Sequence, residues 1–296
     1  MKAAVRLIVN PVSGKGRGVR VAEEASRILH YHGIGHELLV SPDPAAPVEL
    51  ARAAVRDGCA LVVAIGGDGL VNQIGNVLVG TDTVLGIVPA GVGNDFARGV
   101  GMPLDVRQAS AVIATGQVQR VDVGRINDRY FFSVAVMGLA ANVNRRANQF
   151  RRFRMNALYT FVTIASVFLD TPQVFTLRYD ACTRQCYSWL LAVGNTWSCA
   201  RGMALVPAAR ADDGVLDACI VNGMGKWELL TTFPRVFAGR HIYHTGIDTV
   251  RGKVISVSAE QDCEVYADGE HLGQLPVQVC SVPRGLKIML PPQSER

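Results

Sequence analysis

The sequence predicts an α/β protein in which an N-terminal doubly wound parallel-sheet domain is followed by a mostly antiparallel, β-rich domain. Three observations carry that prediction. Ala60-Leu61-Val62-Val63-Ala64-Ile65 is an unbroken apolar run, rich in β-branched residues, of the kind that fills a strand buried on both faces. Gly66-Gly67-Asp68-Gly69 interrupts it, and Leu70, Ile74 and Val77 return at helical spacing, which gives strand, glycine turn, helix. Strand and helix patterns alternate as far as residue 115, whereas beyond Gln119 the strands are short and closely spaced. The division expected is residues 1–120 and 121–296.

Taken in order, Ala3 to Val9 reads as the first strand. It runs into Asn10-Pro11-Val12-Ser13-Gly14-Lys15-Gly16-Arg17-Gly18, a glycine-rich basic loop, and then an amphipathic helix from Val19 to about His32. A helix start behind such a loop presents free N–H groups and a partial positive charge, which suits phosphate. The GxxxxGK[ST] spacing of a P-loop is absent. His36 to Val40 is a second strand, ending at Ser41 and the turn Pro42-Asp43-Pro44; Val48 to Val55 is a helix closed by Gly58. The central glycine turn repeats the arrangement of the first loop. Its backbone can approach a ligand because no Cβ intervenes, and Asp68 could reach a Mg²⁺ carried by a phosphate. A tight strand-to-helix turn without a ligand satisfies the same spacing and stays open. Val84 to Val88 is the fourth strand, followed by Pro89-Ala90-Gly91-Val92-Gly93-Asn94-Asp95-Phe96-Ala97-Arg98. All three glycine loops thus stand at carboxyl ends of strands, where open parallel sheets take their ligands.

In the second half, Val121 to Ile126 and Tyr130 to Val136 flank Asn127-Asp128-Arg129 in the pattern of a hairpin. Further strands are expected at Val174 to Tyr179, Tyr187 to Val193, Val215 to Val221, Val254 to Val257, Cys263 to Tyr266 and Val277 to Val282. Helices interrupt them at about Ala140 to Leu169 and Lys226 to Ala238. Asp212-Asp213-Gly214 reads on its own as a β-turn. Asp268-Gly269 reads as a hairpin turn, which leaves the following Glu270 unexplained.

Composition narrows the class. Hydrophobic residues make up 49% and charged residues 19%, so the chain is globular rather than disordered. A net charge of +5 is a mild bias that fits phosphates or an anionic membrane surface and gives no sign of nucleic-acid binding. Seven scattered cysteines without a CxxC pair suggest reduced thiols in a cytoplasmic protein, not disulfides or zinc. The N-terminus carries no charged-then-apolar signal, and the longest apolar run, Ala157 to Leu169, is too short to span a bilayer. The pairs His30/His32 and His241/His244 lack a third ligand and read as solvent-facing or capping histidines. Arg145, Arg146, Arg151, Arg152 and Arg154 precede the apolar helix; a solvated face and a contact with anionic headgroups are both open.

Asn10-Pro11-Val12-Ser13-Gly14-Lys15, Gly66-Gly67-Asp68-Gly69, Pro89-Ala90-Gly91-Val92-Gly93-Asn94-Asp95, Asp212-Asp213-Gly214 and Asp268-Gly269-Glu270 resemble, in order and over nearly the whole chain, the motifs of the diacylglycerol kinase and sphingosine kinase-like lipid kinase superfamily. The resemblance implies an ATP- and Mg-dependent kinase acting on a hydroxyl of a diacylglycerol-like or sphingoid lipid, peripheral at the inner membrane. It implies nucleotide contacts at Asn10, Pro11, Val12, Ser13, Gly14, Ser41, Gly66, Gly67, Asp68, Gly69, Leu70, Asn72, Gly91, Val92, Asn94 and Asp95. It makes Asp68 and Glu270 catalytic, with Glu270 as base, and gives Asp213, with the carbonyls of Arg210 and Val215, a structural Mg²⁺. Leu70, Gln73 and Val92 depart from the bacterial pattern, which has polar side chains there. Two alternatives remain: an NAD or sugar kinase sharing the GGDG loop, and a lipid-binding protein with impaired catalysis.

Overall fold

A computed structural model describes residues 4–149 and 156–292. The chain opens with β1 (Val5–Val9), a single turn α1 (Ser13–Gly16), α2 (Gly18–Tyr31), β2 (Glu37–Val40), α3 (Ala46–Arg56), β3 (Leu61–Gly66), α4 (Asp68–Leu78) and β4 (Val84–Pro89). The strands pair in parallel in the order β2-β1-β3-β4. Every residue of β3 is buried, as its unbroken apolar run requires. Each large aliphatic side chain so enclosed contributes about 1.5–3 kcal/mol. The chain order reverses direction across the sheet between β1→β2 and β3→β4. Right-handed crossovers therefore place α2 on one face and α3 with α4 on the other.

Next come α5 (Asp95–Gly99) and α6 (Val106–Thr115). Asp105 caps α6, its Oδ1 accepting the N–H groups of Arg107 and Gln108 at 3.0 and 3.1 Å. The helix packs beside α2.

The second half contains β5 (Gln117–Ile126), β6 (Arg129–Phe131), β7 (Val134–Gly138), α7 (Leu139–Gln149), α8 (Asn156–Leu169), β8 (Gln173–Tyr179), β9 (Cys182–Gly194), β10 (Ser198–Cys199), β11 (Met203–Ala204) and β12 (Leu216–Asn222). Then follow α9 (Lys226–Thr232), two 3₁₀ turns (Phe233–Ala238 and Arg240–Tyr243), β13 (Ile247–Gly252), β14 (Val254–Ala259), β15 (Glu264–Ala267), β16 (Glu270–Gln274) and β17 (Val277–Leu290). These strands pair antiparallel, with one exception. β17 lies against β14 and β5 and then meets β4 in parallel at Ile288↔Leu85, so one sheet runs through both halves.

Several expectations are corrected. Tyr130 to Val136 is two strands: the N–H groups of Phe132 and Ser133 turn to the Asp268 carboxylate at 2.7 and 2.9 Å and leave the ladder. The stretch from Ala140 to Leu169 holds two helices, and Arg151, Arg152 and Arg154 between them lie outside the described residues. Lys226 to Ala238 is α-helical only to Thr232 and then 3₁₀, with Pro234 in its first turn. His241 is fully buried rather than solvent-facing.

Candidate functional site

The three glycine loops meet at the carboxyl ends of β1, β3 and β4. Those after β3 and β4 touch backbone to backbone: a Cβ on Gly91 would lie 2.5 Å from Gly67 Cα, and one on Gly67 would lie 3.1 Å from Gly91 Cα. Only glycine fits such an approach. Beside them Gly14, Arg17, Gly91 and Val92 line a cleft of about 370 Å³. The first loop is shaped internally, with Asn10 Oδ1 accepting Val12 N–H at 3.1 Å and Arg17 Nε donating to Gly14 O at 3.0 Å. Val92, in the cleft wall, is 53% exposed.

Two carboxylates tie the loops together. Asp68 opens α4, and its Oδ2 accepts Asn94 N–H at 2.7 Å while Oδ1 accepts Asp95 N–H at 2.6 Å and Phe96 N–H at 3.4 Å. Burial pushes the Asp68 carboxyl up, the neighbouring Asp95 adds to this, and the three N–H groups oppose it. Asp95 reaches into the second half of the chain. Its Oδ1 accepts Ser198 Oγ–H at 2.7 Å and Gly202 N–H at 2.8 Å, and its Oδ2 accepts Arg201 N–H at 3.0 Å. Ala200, Arg201 and Gly202 have positive φ (45°, 76° and 90°), a conformation that turns successive N–H groups toward one anion. A Cβ on Gly93 would lie 2.6 Å from Asp68 Oδ2 and 2.9 Å from Asp95 Oδ2. One oxygen of each carboxylate therefore borders a space that glycine leaves open. Hard oxygen donors of this kind fit a divalent cation.

The β15–β16 hairpin brings a third carboxylate to the same place. Asp268 and Gly269, at φ 50° and 81°, form its turn. Asp268 is more than a turn residue. Its Oδ2 accepts Asn72 Nδ2–H from α4 at 3.0 Å as well as Phe132 N–H, and enclosure pushes its carboxyl up to about 6 against these hydrogen bonds. Cys199, half-buried near Asp95, Asp268 and Asp68, has its thiol pushed far up, chiefly by desolvation and then by those charges. Glu270 opens β16 opposite Ala267 and is partly exposed.

The residues expected to contact a nucleotide are thus divided. Asn10, Pro11, Val12, Ser13, Gly14, Gly66, Gly67, Asp68, Gly69, Gly91, Val92, Asn94 and Asp95 lie on the converging loops. Three others present no free side chain to the cleft, so any contact they make would be through the backbone. Leu70 is 3% exposed and packs under Gly66. Asn72 is spent on Asp268, and the buried Ser41 donates its hydroxyl to Asp43 O at 2.6 Å.

At the expected structural metal site the Asp213 side chain is engaged within the protein. Asp213 Oδ1 accepts Val215 N–H at 3.2 Å, and its Oδ2 pairs with Arg251, whose Nε also donates to Asp217 Oδ1 at 3.1 Å. The Arg210 guanidinium pairs with Asp212. Asp122, 2% exposed, accepts Gly214 N–H at 2.6 Å and Arg284 N–H at 2.7 Å and ties the turn to β17. Arg251 already answers the charge of Asp213, and this donor set does not fit a resident Mg²⁺. Asp122, Ser198, Arg251 and Asp268 were not singled out from sequence as ties. Their partners lie 34 to 196 positions away, so no local pattern signals them.

Two family models match successive parts of the chain. Residues 4–126 match a family model described as the diacylglycerol kinase catalytic domain, and residues 133–290 match one described as a YegS C-terminal NAD kinase beta sandwich-like domain. A Mycobacterium tuberculosis protein named diacylglycerol kinase is 34% identical over 294 residues, covering 97% of this chain and 95% of its own. A Staphylococcus epidermidis protein of the same name is 29% identical over 297 residues, covering 98% and 93%. A crystal structure from Bacillus anthracis, described as a diacylglycerol kinase, superposes with TM-score 0.77 at 21% identity over 97% of both chains. A second from that organism reaches 0.82 at 23% identity over 99% of this chain and 97% of its own. These structural similarities speak to fold alone.

Proposed function

The chain belongs to the diacylglycerol kinase family, a family of lipid kinases, and from that premise we propose that it transfers the terminal phosphoryl group of Mg²⁺–ATP to a hydroxyl of a diacylglycerol-like lipid. The observation that carries this is the convergence of Asp68 and Asp95 on the space over Gly93, beside the glycine-lined cleft. The loops Asn10–Gly14, Gly66–Gly69 and Gly91–Asp95 cradle the phosphates through those backbone N–H groups not already given to Asn10, Asp68 or Asn94. Asp68 and Asp95 would hold the Mg²⁺ that arrives with the nucleotide, and its chemistry there would be to neutralise charge on the transferring group. Glu270 takes the proton from the lipid hydroxyl. Asp268 fixes the Glu270 hairpin against α4 through Asn72.

The lipid side is supported by a cavity in the second half whose walls include Leu139, Val143, Val167, Leu190, Leu205 and Val221. Walls so apolar, around about 100 Å³, suit a segment of an acyl chain and would leave a dinucleotide or sugar unpaired, which argues against the NAD or sugar kinase alternative. No helix among the described residues is long and apolar enough to cross a membrane; on the kinase reading the lipid is met at a bilayer surface.

The test incubates purified protein and labelled ATP with diacylglycerol, monoacylglycerol, phosphatidylglycerol, ceramide and a long-chain base, with and without Mg²⁺, and with NAD as a non-lipid acceptor. Mg²⁺-dependent label in diacylglycerol supports the reading. Label in NAD alone would overturn it, and label in no acceptor would favour a lipid-binding protein without catalysis.

A further inference from the structure

We propose that the outward faces of α8, α9 and the 3₁₀ turns after α9 form a docking surface for an anionic lipid bilayer, with the acyl cavity directly behind it. The proposal rests on the lipid-kinase reading above and names the partner that this part of the molecule meets.

On α8, Phe161, Ile164 and Phe168 recur at spacings of three and four, one stripe of a helix, and are 69%, 44% and 47% exposed. Leu169 beside them is 71% exposed. Trp227 of α9, 74% exposed, meets the Phe168 ring edge to face at 5.9 Å. Phe237, 59% exposed, continues the ridge in the first 3₁₀ turn. Scattered exposed hydrophobics need no explanation, but large side chains contiguous across neighbouring elements mark an interaction surface.

Charge and the inner faces of the same elements indicate what covers the ridge. Lys226 lies within it, its Nζ 6.0 Å from the Phe168 ring centroid and donating to Phe168 O at 2.7 Å. Arg235 and Arg240 are exposed in the turns that carry Phe237 and Tyr243. The one carboxylate of α9, Glu228, is paired with His244 at 3.4 Å. Aromatic side chains among cations, with the acid answered, match an anionic headgroup layer over hydrocarbon. Behind the ridge, Val167 of α8, Leu229 and Leu230 of α9 and Phe233 line the apolar cavity. Ile164 belongs to both the ridge and the cavity wall, so the two adjoin, which would let an acyl chain pass from bilayer to enzyme without crossing water. Arg146 is not part of this surface, because it is pinned to Asp170 at 2.5 and 2.8 Å and to Ser166 at 2.7 Å.

Trp227 supplies the probe. Of the three tryptophans, Trp189 is 2% exposed and Trp197 is partly buried, so quenching from within a membrane reports on Trp227. The full-length protein, without ATP, is titrated with vesicles of phosphatidylcholine and of a phosphatidylcholine–phosphatidylglycerol mixture, each carrying brominated acyl chains. The expected result is a blue shift and quenching with the anionic vesicles and at least about tenfold weaker binding to the neutral ones. Phe161→Ser/Phe168→Ser should lose vesicle binding at least about tenfold while its melting temperature and its rate on a water-soluble short-chain lipid stay at wild type. Undiminished vesicle binding by the double variant, or quenching absent from the wild type, would overturn the proposal. Loss of a wild-type dimer in the double variant, without vesicle binding by either protein, would assign the ridge to a second copy instead. Vesicle binding that survives while no lipid is phosphorylated would leave the docking surface standing and the kinase reading refuted.

Discussion

Replacing Asp68 by asparagine separates two jobs of one carboxylate, the loop anchoring that its hydrogen bonds show and the Mg²⁺ binding proposed for it. Its oxygens accept three N–H groups from Asn94, Asp95 and Phe96, at the start of α5. An amide keeps one acceptor and turns an NH₂ group toward donors. Hydrogen bonds to a charged group contribute about 1.5–3 kcal/mol each, so losing one or more is a real cost. Part of it is offset, because burial and Asp95 already disfavour the ionised form of Asp68. A net loss of about 1–2 kcal/mol corresponds to about 2–5 °C in melting temperature for a chain of this size. Catalysis should suffer much more. Removing the charge that holds Mg²⁺ forfeits about 4 kcal/mol of transition-state stabilisation, or about a thousandfold in kcat. The assay is kcat against Mg²⁺ concentration at saturating lipid, with melting curves on the same preparations. A variant retaining more than about a tenth of wild-type kcat would refute the role of Asp68 at the metal. A melting point lowered by more than about 15 °C would show that the loop anchor, not the charge, accounts for lost activity.

Three further outcomes follow from the same geometry. Glu270→Gln should lower kcat by at least about a hundredfold with little change in either KM, and a raised KM with kcat intact would make Glu270 a binding residue. Val92→Thr puts a hydroxyl into the wall of the cleft, where one hydrogen bond to a phosphate oxygen of about 1.5 kcal/mol should lower KM for ATP about tenfold. Leu70→Thr should give no such gain, because that side chain is packed beneath Gly66; an unchanged KM in Val92→Thr would mean that this position faces away from the phosphates. Arg251→Ala leaves Asp213 and the largely buried Asp217 without their cation. The guanidinium is half exposed, so the loss should be about 2 kcal/mol rather than the 3–5 of a fully buried pair, about 4 °C in melting temperature. That deficit should shrink at acid pH, since burial raises the Asp217 pKa and a protonated Asp217 no longer needs the partner. Chelation should leave the wild-type melting curve in place. A fall on chelation matching that of Arg251→Ala would assign the turn to a metal after all.

Local pattern carried most of the fold into the sequence. β3 and the glycine turn behind it are legible because burial on both faces demands an unbroken apolar run and close backbone approach demands glycine. β16, by contrast, is Glu-His-Leu-Gly-Gln, a partly exposed strand with one large apolar residue, and it leaves no periodic trace. β17 was legible only to Val282 because Pro283-Arg284-Gly285 looks like an ending, whereas the strand shifts register there and continues. The site divides in the same way. The loop residues are visible as motifs, but what Asp95 and Asp268 hold lies more than a hundred positions away, and long-range hydrogen bonds have no spacing to read. Leu70 and Val92 look alike as losses of a hydroxyl, and only their burial, 3% against 53%, separates a packing residue from one facing the cleft.

The path of β17 has a consequence for how the molecule is made. Leu286, Ile288 and Leu290 are 0%, 0% and 5% exposed and belong to the core that β1, β3 and β4 build. Ribosomes release the chain from its N-terminus at about 5–20 residues per second, so the first half emerges well before the strand that seals it. Until then β4 has an unpaired edge and the core beside it lacks three aliphatic side chains, a state prone to pairing with other chains. Residues 1–126 expressed alone should therefore aggregate or stay loosely packed, and adding a peptide of residues 277–290 should improve their solubility. Closure of the cleft would then be among the last events of folding, so the chain would acquire its affinity for nucleotide only once both halves were in place.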